Sequence, residues 1–241
     1  MHPERDQDLT GFNTLGLPAR ARFFARLTEL AQLDEWRARP ELTRLPWRIL
    51  GGGSNLWLCG DLEAFVIKVE LRGRRLAGED AAARYVAAAA GESWQELVAW
   101  TVAQGWGGLE GLSLIPGTVG AAPVQNVGAY GCEVKDALHE LTAIDLRSGE
   151  RRRFGSAECA FGYRDSRFKR EPDRWLISEA VFRLPKDHAP RTGYGEIEKE
   201  LAALGLAPTP GSVARAVVEV RSRKLPDPAR LGNAGSFFKN P

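Results

Sequence analysis

Leu114-Ile-Pro-Gly-Thr-Val-Gly-Ala-Ala-Pro-Val-Gln-Asn-Val-Gly-Ala-Tyr-Gly131 is the stretch on which the fold turns. Small residues dominate it. Pro116 and Pro123 stiffen the backbone, while Gly117, Gly120 and Gly128 leave room on its surface. Gln125 and Asn126 add paired donors and acceptors suited to the edge of a heteroaromatic ring. A flat cofactor lying on the backbone needs this composition. A tightly packed structural loop is the alternative, but it leaves Gln-Asn among so many glycines without a purpose.

Upstream, the apolar residues 47–50 run into Gly51-Gly52-Gly53-Ser54-Asn55. Consecutive glycines after a strand expose successive backbone N–H groups, and such nests hold phosphate oxygens. No Gly-Lys-Ser/Thr follows, so this is not a P-loop, and the spacing is not Gly-x-Gly-x-x-Gly. A flexible turn is the plain alternative. Downstream, Gly162-Tyr-Arg-Asp-Ser-Arg-Phe-Lys169 offers the planar fork of Arg164 to a carboxylate, or else forms a charged surface hairpin. In Gly235-Ser236-Phe-Phe-Lys-Asn-Pro241, Ser236 reads as a positioned hydroxyl or a turn serine. No Gly-x-Ser-x-Gly elbow or nearby His makes it a nucleophile.

The rest of the chain alternates strands and helices. Strands are expected at 21–27, 47–50, 65–69, 72–76 and 83–90, with helix an open alternative for the alanine-rich last one. Thr28 is expected to cap a helix over 29–39, ended by Pro40, and Ser93 with Glu96 a helix to Gln104. Residues 138–146 and 151–154 flank Ser148-Gly149 as a hairpin, and 175–184 form a strand ending at Pro185. Helices are expected at 196–204 and 213–223. The seven Trp are assigned to the core, and His139 and His188 to structural or solvated positions.

Composition bounds the function. Of 241 residues, 44% are hydrophobic and 27% charged, which is ordinary for a globular protein and excludes disorder as the main theme. Lys+Arg 33 against Asp+Glu 31 implies no field for nucleic acid. Three His disfavour His-dyad chemistry, and no Cys/His cluster has metal spacing, so no metal site is expected. Cys59, Cys132 and Cys159 read as reduced thiols of a cytoplasmic protein, Cys132 lying beside the glycine-rich segment. MHPERDQDLT has no apolar centre and is not read as a signal peptide; no run is long enough to span a membrane.

Two further segments, Asn13-Thr14-Leu-Gly-Leu-Pro-Ala-Arg-Ala21 and Arg221-Ser-Arg-Lys-Leu-Pro-Asp-Pro228, complete a series in fixed order. Together the segments resemble the UDP-N-acetylenolpyruvoylglucosamine reductase (MurB) family of peptidoglycan synthesis, over almost the whole chain. The resemblance implies an α+β protein with the FAD-binding fold of the vanillyl-alcohol oxidase type. It implies a first FAD-binding subdomain at 1–70, a second at 71–225 that includes the Tyr194 loop and the helices at 196–223, and the start of a substrate-binding domain at 226–241. It implies non-covalent FAD, since no His lies in either glycine segment, with NADPH as co-substrate and a UDP-sugar as substrate. A monomer is expected.

By the same resemblance Gly52, Gly53, Ser54, Asn55, Gly117, Thr118, Gly120, Ala121, Gln125, Asn126, Gly128 and Arg221 hold FAD. Tyr163, Tyr194, Lys224 and Asn240 bind the sugar nucleotide. Arg164 steadies charge on the substrate carboxylate, and Ser236 donates a proton to its α-carbon. The family's chain continues through more of the substrate domain to a glutamate that acts with that Arg and Ser. Residues 1–241 hold no match for it, so FAD binding is expected to be better preserved than turnover. Two alternatives stand beside this reading: an FAD oxidoreductase of the same fold acting on an alcohol, and an inert FAD- or nucleotide-binding module.

Overall fold

The computed structural model describes residues 2–235. The first sheet comes from β1 (Glu4–Asp8), β2 (Arg20–Leu27), β3 (Trp47–Leu50) and β4 (Leu62–Val69), in spatial order β1-β2-β4-β3. β2 and β3 each pair parallel with β4, and β1 runs antiparallel to β2. Between β2 and β3 lie two short helices, α1 (Ala31–Arg37) and α2 (Pro40–Thr43). Strand β4 explains the packing. Its Phe65, Ile67 and Val69 face the helices, and Trp36 and Trp47 each meet Phe65 edge-on, with ring centres 5.3 and 5.2 Å away. Its Val66 faces the opposite way into Leu9, Ala21, Phe24 and Leu50.

The helix expected over 29–39 is shorter, because Gln32 turns its own side chain back to accept the N–H groups of Thr28 and Glu29 at 2.8 and 2.9 Å. Thr28 therefore does not cap it. Pro40 ends α1 and also opens α2, where its missing N–H costs nothing. The hydrophilic strand β1, not expected from the sequence, has no apolar alternation to announce it; as an exposed sheet edge it needs none.

The second sheet is antiparallel throughout. It takes β5 (Arg74–Glu79), β6 (Ala83–Ala89), β9 (Leu138–Asp145), β10 (Arg151–Gly155) and β11 (Trp175–Pro185), in order β10-β9-β11-β6-β5. The alanine-rich segment is thus a strand, held between two neighbours. Helix α3 (Trp94–Ala103) covers one face; Ser93 accepts the Glu96 N–H at its start, and Trp94 packs on Phe182. The β9–β10 turn is organised by Asp145, whose Oδ1 accepts the N–H groups of Arg147 and Ser148.

A two-stranded ribbon, β7 (Gly128–Ala129) with β8 (Cys132–Glu133), turns through Tyr130 and Gly131, both with positive φ. Short helices α4 (Val134–Ala137) and α5 (Arg167–Arg170) follow β8 and precede β11. Helices α6 (Gly195–Leu204) and α7 (Pro210–Lys224) pack on each other through Ile197, Leu201, Val213, Val217 and Val220, with Tyr130 against them. Trp36 and Trp94 are fully buried, but Trp57 is 65% exposed and does not serve the core.

Candidate active site

A cleft of about 390 Å³ opens between the two sheets. One wall is residues 51–56, which leave the C-terminal end of β3; the facing wall is residues 115–122, with Ala90 and Trp94 behind. Ile49, Val69, Phe168, Trp175 and Ile177 make one apolar side, with Lys169 and Asp173 at its rim. Strand carboxyl ends are where open parallel sheets present loop N–H groups to ligands.

Of the residues expected to hold FAD, Gly52, Gly53, Ser54, Asn55, Gly117, Thr118, Gly120, Ala121 and Gln125 line this cleft. The two glycine segments differ in kind. In 117–122 the backbone is largely occupied: Trp94 N–H donates to Gly117 O, Val119 N–H to Glu92 O and Gly120 N–H to Ala90 O. In 52–55, among the described residues, no backbone N–H donates to a protein acceptor. That open run of donors is an anion cradle. The glycines also serve a purpose the sequence did not suggest. A Cβ on Gly52 would stand 2.9 Å from Gly117 Cα, so the two loops touch backbone to backbone. Gly53 has φ +68°, and a Cβ there would meet the Phe12 carbonyl oxygen. Gly52 therefore closes the two loops on each other and Gly53 closes the first loop on the 12–13 backbone, as well as leaving room for a ligand. Asn55 then ties the walls by donating to Gln125 Oε1 at 2.8 Å.

Asn126 and Gly128 lie elsewhere. Asn126 is fully buried; its amide donates to Gly162 O at 3.0 Å and accepts the Lys135 N–H at 3.0 Å. It joins the 124–128 loop to the 162–165 turn. Gly128 sits under Arg164, whose Nη2 donates to Gly128 O at 2.6 Å. Arg164 also lies 3.9 Å from Glu133 and over the Tyr163 ring, on a backbone with φ +54°.

The remaining described candidates gather around Tyr130. Tyr194 meets its ring edge-on at 5.5 Å. Arg221 donates to Leu114 O and hydrogen-bonds the Tyr130 hydroxyl; burial holds its guanidinium below the usual value, with Tyr130 opposing. Burial likewise pushes the Tyr130 phenol up, with Arg221 and Lys224 opposing. Lys224 pairs with Glu196 at 2.5 Å. Arg221, expected in the cofactor set, is thus found in the same group as Tyr194 and Lys224. Ser236 and Asn240 lie outside the described residues. Sequence reasoning missed Tyr130, Glu133, Ser166 and Lys68. Ser166 Oγ donates to Val124 O at 2.6 Å and caps α5, fixing the turn that carries Arg164. Cys132 packs against Gly111, and burial pushes its thiol up.

The fold and its open N–H cradle define a dinucleotide-binding flavoprotein class, and residues 23–155 match the FAD binding domain family. The chain is 54% identical over 241 residues to UDP-N-acetylenolpyruvoylglucosamine reductase of Azoarcus sp. (strain BH72), covering 98% of this chain and 70% of that one. It is 52% identical over 240 residues to the reductase of Burkholderia orbicola (strain MC0-3), covering 98% and 69%. The crystal structure of MurB from Thermus caldophilus superposes with TM-score 0.73 at 27% identity, over 100% of this chain and 76% of that one. A chitooligosaccharide oxidase shares the fold alone, with TM-score 0.54 at 13% identity over 76% and 41%. The chain belongs to the UDP-N-acetylenolpyruvoylglucosamine reductase family. Among the described residues, no helix is long and apolar enough to cross a membrane.

Proposed function

We propose that this chain binds FAD non-covalently in the cleft and reduces UDP-N-acetylglucosamine enolpyruvate to UDP-N-acetylmuramate at the expense of NADPH. The observation that carries the reading is the open run of N–H donors at 52–55, set against the 117–121 backbone in a cleft with apolar walls. Such a site suits a diphosphate joined to flat rings. When bound, FAD supplies a two-electron relay, taking hydride from NADPH and passing it to the enolpyruvyl double bond.

The chain's own residues do the rest. Hydride addition to the terminal carbon builds negative charge on the substrate carboxylate. Arg164 is held by Gly128 O and Glu133, so its cation is fixed before the charge develops, and a preset cation needs no reorganisation. Ser236 gives the proton to the α-carbon; a strongly basic acceptor and a fixed approach compensate for a weak hydroxyl acid. Tyr163, Tyr194, Lys224 and Asn240 hold the sugar nucleotide, and its diphosphate displaces Glu196 from Lys224. The reading extends to a monomer in the cytoplasm, which free thiols at Cys59, Cys132 and Cys159 suit. The purified protein should be yellow, release FAD on denaturation, and oxidise NADPH only when the enolpyruvyl substrate is present. A colourless protein that takes up no FAD defeats the reading. A yellow protein without substrate-dependent oxidation leaves the inert FAD-binding module in its place.

A further inference from the structure

Lys68 occupies a position where the fold calls for an apolar residue. Strand β4 is central in its sheet, and Ala64, Phe65, Val66, Ile67 and Val69 beside Lys68 are all buried. Strands covered on both faces normally read as unbroken apolar runs. Lys68 Nζ runs back to the residue before the cradle and donates to the Gly51 carbonyl oxygen. The planar trans peptide fixes the direction of the next donor. Carbonyl and N–H of one peptide point in opposite directions, so a Gly51 carbonyl held by Lys68 turns the Gly52 N–H away from Lys68. Gly52 lines the cleft, and its N–H has no acceptor among the described residues.

The charge matters as well as the bond. Among the described residues Lys68 makes no ion pair, whereas its neighbour Glu70 is taken by Arg26 at 2.5 Å. A half-buried ammonium without a contacting carboxylate costs stability unless something compensates for it. Burial holds its pKa below the usual lysine value, with Glu70 opposing.

We propose that Lys68 is a positioning residue for the diphosphate of the cofactor: from behind the loop it fixes the Gly51–Gly52 peptide with its N–H toward the cleft, and adds positive charge beneath the anion cradle. The inference rests on the proposed binding of FAD in the cleft, and a diphosphate is the only part of that ligand it concerns.

The test compares FAD with riboflavin, which carries the same ring and no phosphate. The full chain, Lys68→Met and Lys68→Arg are stripped of flavin and titrated with each ligand by flavin fluorescence. Lys68→Met should weaken FAD by about tenfold or more, the scale of a hydrogen bond to a charged group, and leave riboflavin within about twofold. Lys68→Arg, which keeps the charge, should hold the FAD-to-riboflavin ratio within about threefold of the starting chain. Equal weakening of both ligands, or none, overturns the proposal, because loss of folding alone does not distinguish a diphosphate. Should Lys68→Met fail to fold, a tenfold fall of the ratio in Lys68→Arg overturns it. Failure of the unaltered chain to take up FAD overturns the functional reading first, and this proposal with it.

Discussion

The cleft and the Tyr130 cluster are built by different means. The cleft is made from backbone. Its binding groups are N–H donors at 52–55, and its walls are glycines packed against each other. The Tyr130 cluster, and the Arg164 turn apart from it, are made from side chains that already hold partners: Tyr194 on Tyr130, Lys224 on Glu196, Arg164 on Gly128 and Glu133. A backbone site is preset by the fold and suits a cofactor that stays. A site of long side chains in exchangeable pairs suits a substrate that must enter and leave. Asn126 joins the cleft to the Arg164 turn, because one buried amide fixes both the loop after the cleft and the turn carrying Arg164.

The comparison breaks most readily at Arg164. Arg164→Ala should slow oxidation of the reduced flavin by the enolpyruvyl substrate by about 10²–10³, the usual cost of removing one preset electrostatic partner. Reduction of the flavin by NADPH should be unchanged in the same stopped-flow traces. Normal oxidation by substrate would remove Arg164 from its role. Gly52→Val is the converse test. Its side chain collides with Gly117, so overpacking should cost about 1–3 kcal/mol in urea unfolding and weaken FAD by about tenfold or more. Binding of the sugar nucleotide to whatever fraction remains loaded should be little affected. If FAD affinity survives this substitution, the close approach of the two loops is not what shapes the cleft.

The same division explains what was legible in the sequence. Backbone sites are written in local composition, so Gly51-Gly52-Gly53-Ser54-Asn55 and the 114–131 stretch announced themselves, and the strands feeding them followed from apolar runs. The purpose of those glycines was only half visible, because contact between residues 52 and 117 is a fact of tertiary packing. Side-chain clusters are assembled from distant positions. Tyr130 and Tyr194 are far apart in the chain, and a tyrosine at positive φ in a tight turn carries no pattern of its own. Lys68 was invisible for a similar reason. A lysine one residue before the end of an apolar strand reads as the point where the strand meets water, and only the fold shows it reaching Gly51. The edge strand β1 was missed because edges are hydrophilic by necessity.

A smaller effect is expected at Tyr194. Its edge-on contact with Tyr130 is of the kind worth about 0.5–1.5 kcal/mol, so Tyr194→Ala should weaken the UDP-sugar by up to about tenfold. FAD affinity, followed by flavin fluorescence, should not move. A parallel loss of FAD would mean that the two regions are one site.

The smallest effect lies beside Trp175, on the apolar side of the cleft, and it depends on pH. Burial by itself would raise the Asp145 carboxyl, but Arg174 and the N–H groups of Ser148 and Arg147 outweigh it and hold the carboxyl below its usual value. Arg174 in turn lies over the Trp175 ring, 4.7 Å from its centre, and Trp175 lines the cleft. A carboxyl depressed by folding adds stability above its unfolded pKa and loses it as the pH falls through the folded value. The stability advantage over Asp145→Asn should therefore be complete at neutral pH and shrink below about pH 4. Urea unfolding of both proteins at pH 7 and pH 3 measures that gap. A gap that stays constant would detach Asp145 from the acid response. A gap that closes while the folded protein still binds the UDP-sugar would keep the acid response of Asp145 apart from the Tyr130 cluster, as two separately built regions require.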